Sequence, residues 1–126
     1  MSLPKTVLLA DDEAHVRLYV RMILKQMGVD LVHEASDGQE ALQKFEDFRP
    51  DAVLMDINMP GMTGVEALEA IQKIDSNAIV IMLTAQASRQ LIEECQRAGA
   101  TYYIRKDTPR PEIVTLLQEV FDSAFV

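Results

Sequence analysis

The sequence predicts one α/β domain in which five parallel strands form a sheet that helices cover on both faces. Five short apolar runs alternate along the chain with five segments whose apolar residues recur at intervals of three and four. The first pattern is typical of buried strands and the second of amphipathic helices. Their regular alternation favours a parallel, doubly wound sheet with right-handed crossovers. With 126 residues in total, a single domain spanning residues 1–126 accounts for the whole length.

The first half of the chain alternates three strands, at residues 6–10, 31–35 and 52–55, with two helices. The second strand is more polar than the other two, so we expect it nearer the edge of the sheet. The helical stripes between them are Val16, Val20, Ile23 and Met27, and then Ala41, Leu42, Phe45 and Phe48. Gly28 closes the first helix, Asp37 caps the second, and the second helix ends before Pro50.

The second half continues with three helices and two strands. The helical stripes are Val65, Leu68, Ile71 and Ile74; Leu91, Ile92, Cys95 and Ala98; and Ile113, Leu117, Val120 and Ala124. Residues 78–83 form the most apolar run of the chain and predict an interior strand, and residues 101–104 predict the fifth strand. Gly99 ends the fourth helix. Thr108 as the cap and Pro109 as the first helical residue are expected to open the last one.

Composition and charge exclude several classes of protein. The chain is 48% hydrophobic and 25% charged, which is typical of a globular domain and not of a disordered chain. No apolar run approaches the roughly 20 residues of a spanning helix, and Met1–Lys5 lacks the apolar region of a signal peptide, so we expect a cytoplasmic protein. The net charge of −8 argues against direct binding to nucleic acid or to an anionic membrane.

Polar side chains follow four of the five predicted strands, and parallel strands bring them to one edge of the sheet. They are Asp11 and Asp12, Asp56, Thr84, and Lys106. Taken singly, Asp12 fits a helix cap and Lys106 a loop charge, but ligands of open α/β sheets bind at this edge. Two carboxylates about 4 Å apart repel by on the order of 4 kcal/mol at an effective dielectric of 20, so an acidic cluster needs a compensating charge. Mg²⁺, which prefers carboxylate, water and phosphate oxygens, would supply it.

These residues, in this order, resemble the receiver domain of two-component response regulators, in the stand-alone form typified by the chemotaxis regulator. The shared motifs are the acidic pair Asp11-Asp12, the segment Asp56-Ile57-Asn58-Met59-Pro60-Gly61, the pair Thr84-Ala85, and Lys106. The resemblance covers essentially the whole chain. It implies a flavodoxin-like fold with strand order 2-1-3-4-5 and a function in phosphorelay signalling.

The resemblance also implies a role for each residue of the cluster. Asp56 would accept a phosphoryl group from a histidine kinase or phosphotransfer protein. The Mg²⁺ ligands would be Asp11, Asp12, Asp56 and the backbone carbonyl of Asn58. Thr84 and Lys106 would contact the phosphoryl oxygens, and Thr84 and Tyr103 would pass the change to a downstream protein or output domain. The implied protein is a phosphoacceptor switch, whose chemistry is at most self-phosphorylation from a donor and autodephosphorylation.

The chain departs from the family pattern directly after Lys106, where Asp107 replaces the usual proline. A cis peptide costs roughly 2.5 to 4 kcal/mol before a residue other than proline, against about 0.5 to 1 kcal/mol before proline. We therefore expect the Lys106–Asp107 peptide to be trans. We also expect the Asp107 carboxylate to lie close enough to screen part of the Lys106 charge.

Three other function classes share parts of this pattern. A haloacid-dehalogenase-like phosphatase also forms an aspartyl phosphate with Mg²⁺, but its Asp-x-Asp motif lies on the first strand, whereas here Asn58 holds the second position on the third strand. A flavodoxin-like carrier of a phosphorylated cofactor needs a loop rich in Ser, Thr and Gly where this chain is acidic. A receiver-like docking module that never carries phosphate would not need the intact cluster. His15 and His33 lack a metal-binding partner at ligand spacing, and Cys95 is expected in the core.

Overall fold

The computed structural model, which describes residues 2–85 and 88–125, contains the predicted parallel sheet. Its strands are β1 (Thr6–Ala10), β2 (Leu31–Ala35), β3 (Ala52–Asp56), β4 (Ile79–Thr84) and β5 (Tyr102–Arg105). Its helices are α1 (Ala14–Met27), α2 (Gly38–Phe48), α3 (Gly64–Ile74), α4 (Arg89–Arg97) and α5 (Arg110–Ala124). All four strand pairs are parallel and the order is β2-β1-β3-β4-β5. The predicted fold class and strand order are confirmed.

The boundaries of β4 and β5 lie one residue later than the sequence predicts. The cause is strand register, because β4 begins where Ile79 pairs with Ala52 of β3, and β5 ends where Arg105 pairs with Thr84. Apolarity alone cannot show where a neighbouring strand stops. The one-residue extension of β4 places Thr84 inside the strand, at its carboxyl end.

The predicted start of the last helix is wrong by one residue. The Thr108 amide donates to the Arg105 carbonyl in a turn, 3.1 Å away, and the Thr108 side chain caps nothing. Pro109 occupies the cap position, since its carbonyl accepts from the amides of Glu112 and Ile113. Helix α5 therefore begins at Arg110, because the turn after β5 takes one residue more than the proline signal suggests.

The sheet separates two apolar cores, because successive side chains of a strand point to opposite faces. Leu8 packs with residues of α2 and α3, whereas Val7 and Leu9 pack with residues of α1 and α5. Cys95 of α4 is 2% exposed and belongs to the first core, which confirms its predicted place. The strands β1, β3 and β4 are flanked on both sides, and β2 is an edge strand as predicted.

The end of β3 and the start of α3 approach each other closely at Gly64. A Cβ atom there would lie 2.0 Å from the carbonyl oxygen of Asp56, so only glycine fits without a backbone shift. The helix start is fixed by a capping box in which Thr63 and Glu66 each accept from the other's amide. The loop after Asp56 is thus anchored where it returns to the sheet.

His33 lies on the edge strand β2 and makes an aromatic contact. Its ring stacks on that of Phe48 with centroids 4.1 Å apart. In residues 2–85 and 88–125, no helix has the length and apolar character needed to cross a membrane.

Candidate functional site

Three acids meet at the carboxyl edge of the sheet, as the sequence predicts. Asp11, Asp12 and Asp56 each offer a carboxylate oxygen, and these oxygens lie within 4.8 Å of one another. The convergence follows from the sheet, because β1 and β3 are neighbours and Ala10 is paired with Met55. Asp11 is 0% exposed and Asp56 is 3% exposed, whereas Asp12 is open to solvent. The cluster therefore has two buried acids and a third at its mouth.

Lys106 reaches this cluster from the end of β5. Its Nζ lies 2.8 Å from Asp11 Oδ2, 3.1 Å from Asp56 Oδ1 and 3.8 Å from Glu13 Oε1. The Lys106 side chain is largely buried, with 17% exposed. A single ammonium thus compensates two buried carboxylates, which leaves the site with an excess of negative charge.

One fully buried carboxylate oxygen of these acids, Asp11 Oδ2, has no hydrogen bond among the described residues. Asp11 Oδ1 accepts from the Glu13 amide at 2.9 Å, and Asp56 Oδ1 accepts from the Asn58 amide at 3.3 Å. Asp11 Oδ2 has the short ionic contact with Lys106, but the contact lacks hydrogen-bond geometry, and no other described residue donates to this oxygen. A buried carboxylate oxygen of this kind, close to two other acids, suits a hard divalent cation such as Mg²⁺.

Burial and charge shift the pKa values of both central groups. Burial, aided by the negative charge of Asp11, raises the pKa of Asp56 from 3.8 to about 6, although Lys106 and the Asn58 amide act in the opposite direction. Burial by itself would lower the pKa of Lys106, but Asp11 and Asp56 outweigh it, and the net change is upward. Asp56 is therefore the acid whose ionisation this site opposes, and Lys106 remains charged.

Thr84 and Tyr103 lie where the sequence places them, on the strands beside the cluster. Thr84 is 1% exposed at the end of β4, and its carbonyl accepts from the Lys106 amide at 2.8 Å. Tyr103 is half-buried on β5, packs against the first core and stacks on Tyr102 with centroids 5.7 Å apart. A backbone hydrogen bond thus links the end of β4 at Thr84 to Lys106. Their functional roles remain predictions.

The predictions made for Asn58 and Asp107 have different outcomes. Asn58 is exposed in the loop after Asp56 and donates its amide to that acid; the use of its carbonyl as a metal ligand stays a prediction. The Lys106–Asp107 peptide is trans, as predicted. The expected screening of Lys106 by Asp107 is wrong, because the Asp107 carboxylate is paired with Arg105 at 3.1 and 3.0 Å.

Arg17 is the supporting residue that sequence reasoning missed. Its Nη1 donates to the Asp11 carbonyl at 2.7 Å, and its Nε donates to Glu34 at 3.2 Å, so it ties α1 and β2 to the end of β1. The Arg17 side chain is only 19% exposed. The one available signal was an arginine one turn into the helix that follows the acids, which is also the pattern of an ordinary surface charge.

The comparisons with known proteins agree with this geometry. Residues 7–118 match the model of the family described as "Response regulator receiver domain". The chain is 37% identical over 116 residues to the chemotaxis protein CheY of Thermotoga maritima, a match that covers 92% of this chain and 97% of that protein. It is 38% identical over 100 residues to CheY of Bacillus subtilis, covering 79% and 83% respectively.

Solved structures of chemotaxis proteins are also similar to this chain in fold. A chain of the CheX-CheY-BeF3-Mg²⁺ complex from Borrelia burgdorferi superposes with a TM-score of 0.89 at 33% identity, covering 94% of this chain and 90% of that one. CheY4 of Vibrio cholerae superposes with a TM-score of 0.86 at 32% identity, covering 94% and 99%.

Proposed function

This chain belongs to the response regulator receiver domain family of two-component signalling, and we propose that Asp56 is its phosphoacceptor. The observation that carries the proposal is the surroundings of Asp56: a nearly buried carboxylate with an ammonium 3.1 Å away and two further acids in its cluster. The phosphoryl donor would be a phospho-histidine of a histidine kinase or phosphotransfer protein. The chain would act as a switch and not as an enzyme with a separate substrate.

The acids Asp11, Asp12 and Asp56 would hold Mg²⁺, together with the carbonyl of Asn58. When bound, the ion would neutralise charge on the oxygens of the transferred phosphoryl group. Asp11 supports this assignment because its buried Oδ2 accepts no hydrogen bond of normal geometry from the described residues and has the ionic contact with Lys106 at 2.8 Å. Asp12 lies exposed at the mouth of the cluster, on the side open to solvent.

Asp56 can attack phosphorus only as a carboxylate. One of its oxygens would form the new P–O bond while the P–N bond to the donor imidazole breaks, which gives an aspartyl phosphate and a free histidine. With a pKa of about 6 in the metal-free protein, Asp56 is mostly ionised at neutral pH. The Lys106 ammonium would move from the carboxylate to the phosphoryl oxygens, and so it balances charge both before and after transfer.

Thr84 and Tyr103 would carry the signal outward. A phosphoryl group adds negative charge and acceptor oxygens beside Thr84, and the side chain of Tyr103 borders the core below. A shift of a two-state equilibrium from 1:99 to 99:1 needs about 5.5 kcal/mol. Because a single hydrogen bond contributes only about 1 kcal/mol, we expect a partial shift until a downstream protein also binds.

Mass spectrometry tests the acceptor directly. Incubation with acetyl phosphate and Mg²⁺ should add one phosphoryl mass to the protein and none to Asp56→Asn. Asp47→Asn, which changes an exposed acid on α2, is the matched control and should be labelled like the parent. Equal labelling of Asp56→Asn would disprove the assignment.

NMR tests the switch. Addition of beryllofluoride and Mg²⁺, a stable mimic of the phosphoryl group, should shift the signals of Thr84 and Tyr103. If both environments stayed unchanged while the adduct formed, phosphorylation would not act through these residues.

A further inference from the structure

Two oppositely charged residues flank Lys106 and contact each other. Arg105 donates through Nε and Nη2 to the two carboxylate oxygens of Asp107, at 3.1 and 3.0 Å. This two-pronged geometry is the strongest arrangement that an arginine and a carboxylate form. Both side chains are more than half exposed, at 51% and 67%. The pair therefore lies on the outer side of the loop, while the Lys106 side chain turns inward to the acids.

The backbone at Lys106 is held on both sides. Its amide donates to the Thr84 carbonyl at 2.8 Å, and the Thr108 amide closes a turn onto the Arg105 carbonyl at 3.1 Å. The Arg105–Asp107 pair spans this turn, in a chain that has no proline at position 107 to restrict it. The direction of Lys106 thus depends on a turn that backbone hydrogen bonds hold, and the Arg105–Asp107 pair borders this turn on its outer side.

Loss of Arg105 would make Asp107 a competitor for the lysine. The Lys106 ammonium already contacts the carboxylates of Asp11, Asp56 and Glu13. Asp107 is the next residue in the chain, and Arg105 donates two hydrogen bonds to its carboxylate. Without Arg105, a free carboxylate would lie beside Lys106.

We infer that Arg105 is a positioning residue, which occupies the Asp107 carboxylate and so keeps the Lys106 ammonium directed at Asp11 and Asp56. This inference rests on the proposed function, because Lys106 matters for phosphoryl transfer only if Asp56 is the acceptor. Arg105 itself touches none of the reacting groups. It acts through its effect on its neighbours in the turn.

The two single variants should differ in their rates of phosphorylation. Arg105→Ala leaves Asp107 free to compete for Lys106, and should slow phosphorylation by acetyl phosphate about threefold, in the range expected for an exposed pair. Asp107→Ala removes the competitor with the pair, and should stay within about 1.5-fold of the parent. The double variant Arg105→Ala, Asp107→Ala should return to the rate of Asp107→Ala.

If the pair only held the turn in shape, loss of either partner would slow phosphorylation by the same factor. Equal rates for Arg105→Ala and Asp107→Ala would therefore overturn the inference, and so would a double variant as slow as Arg105→Ala. The pair Arg89–Glu93 on α4, 3.2 Å apart and exposed, is the matched control. Arg89→Ala removes the same charge from an ion pair that does not border Lys106, and should leave the rate unchanged.

A second measurement separates this inference from the proposed function. In metal-free protein without a phosphoryl donor, the ¹³Cε and ¹Hε NMR signals of Lys106 report whether its ammonium stays among the buried acids. These signals should move in Arg105→Ala and return in the double variant. If Asp56 proved not to be the acceptor but the signals behaved in this way, only the proposed function would fail; unmoved signals in Arg105→Ala would refute the positioning role.

Discussion

Burial stabilises the fold in the middle of β1 and β3, whereas at the carboxyl end of β3 it carries a free-energy penalty. Leu8 of β1 and Leu54 of β3 are fully buried among apolar neighbours, and Asp11 and Asp56, a few residues further on, are almost as buried. Burial of a leucine side chain stabilises a fold by about 1.5 to 3 kcal/mol. The raised pKa of Asp56, from 3.8 to about 6, corresponds to a penalty of roughly 3 kcal/mol for its ionised form.

This difference shows how a receiver domain remains stable with a destabilising centre. The strands gain stability along their apolar length, and β3 loses part of it at its carboxyl end, where the ionised form of Asp56 is disfavoured. Lys106 offsets some of the repulsion, but it is one charge against two buried ones. The site is therefore poised to be stabilised by a cation, and the core supplies the stability that allows this.

The largest effect should come from the middle of β1. Leu8→Ala removes a fully buried side chain and should lower the free energy of unfolding by about 2 to 5 kcal/mol, because it leaves a cavity in the first core. Urea denaturation measures it. Leu18→Ala is the control, since Leu18 is 60% exposed and should change stability by less than about 0.5 kcal/mol. Similar losses for both variants would remove the contrast between core and surface.

At the end of β3, substitution of a buried residue should raise the free energy of unfolding instead of lowering it. Because the pKa of Asp56 in the folded protein lies above its ordinary value of 3.8, the ionised acid destabilises the fold above about pH 6, and the penalty vanishes as the pH falls toward 3.8. In chelator above pH 6, Asp56→Asn should therefore raise the free energy of unfolding by up to roughly 3 kcal/mol. The gain should shrink as the pH is lowered. A variant less stable than the parent above pH 6 would show that Asp56 stabilises the metal-free fold.

Gly64 tests how tightly the core and the site are joined. A Cβ atom there would meet the Asp56 carbonyl at 2.0 Å, so Gly64→Ala should cost about 1 to 3 kcal/mol through overpacking and should also weaken Mg²⁺ binding. Gly61→Ala is the control, because a Cβ atom there meets nothing within 4 Å although its φ is +72°. It should cost about 1 kcal/mol from backbone strain and leave metal affinity unchanged. Normal Mg²⁺ affinity in Gly64→Ala would contradict the coupling.

The smallest effect on stability should be that of Asp12. Its side chain is exposed and accepts no hydrogen bond from any described residue, so in chelator Asp12→Ala should leave the free energy of unfolding level or slightly higher, while Mg²⁺ binding weakens. Asp37→Ala should instead lose about 1 kcal/mol, since Asp37 caps α2 by accepting from the Glu40 amide at 2.8 Å. Thermal melts compare the two. An equal loss in Asp12→Ala would favour the helix-cap role for Asp12.

Most of the fold could be predicted because each element repeats one pattern along its length. The apolar run of β1 and the stripe of α1 differ in period, and Gly28 closes α1 in the left-handed conformation with φ of 110°. Boundaries set by other elements could not be predicted in this way. Residue Thr84 joins β4 through its pairing with Arg105, and α5 starts at Arg110 because the preceding turn is set by a hydrogen bond.

The candidate site likewise has features that the sequence could predict and features that it could not. The convergence of Asp11, Asp56 and Lys106 follows from strand ends in a parallel sheet, so the sequence could predict it. The pairing of Asp107 with Arg105 could not be predicted, because two neighbouring charges in a loop have many possible partners. Arg17 was missed for a related reason, since its contact with the Asp11 carbonyl depends on how α1 lies against the sheet.

The position of β5 at the end of the strand sequence has a consequence for how the protein is made. A ribosome delivers the chain from its amino end, so Asp11 and Asp56 emerge well before Lys106. The strands β1 to β4 can pair among themselves first, since β5 adds only to the outer side of β4. Until β5 has been synthesised, Asp11 and Asp56 lack the ammonium of Lys106 that lies 2.8 and 3.1 Å from them in the folded protein. The last strand therefore completes the charge balance of the site as well as the sheet.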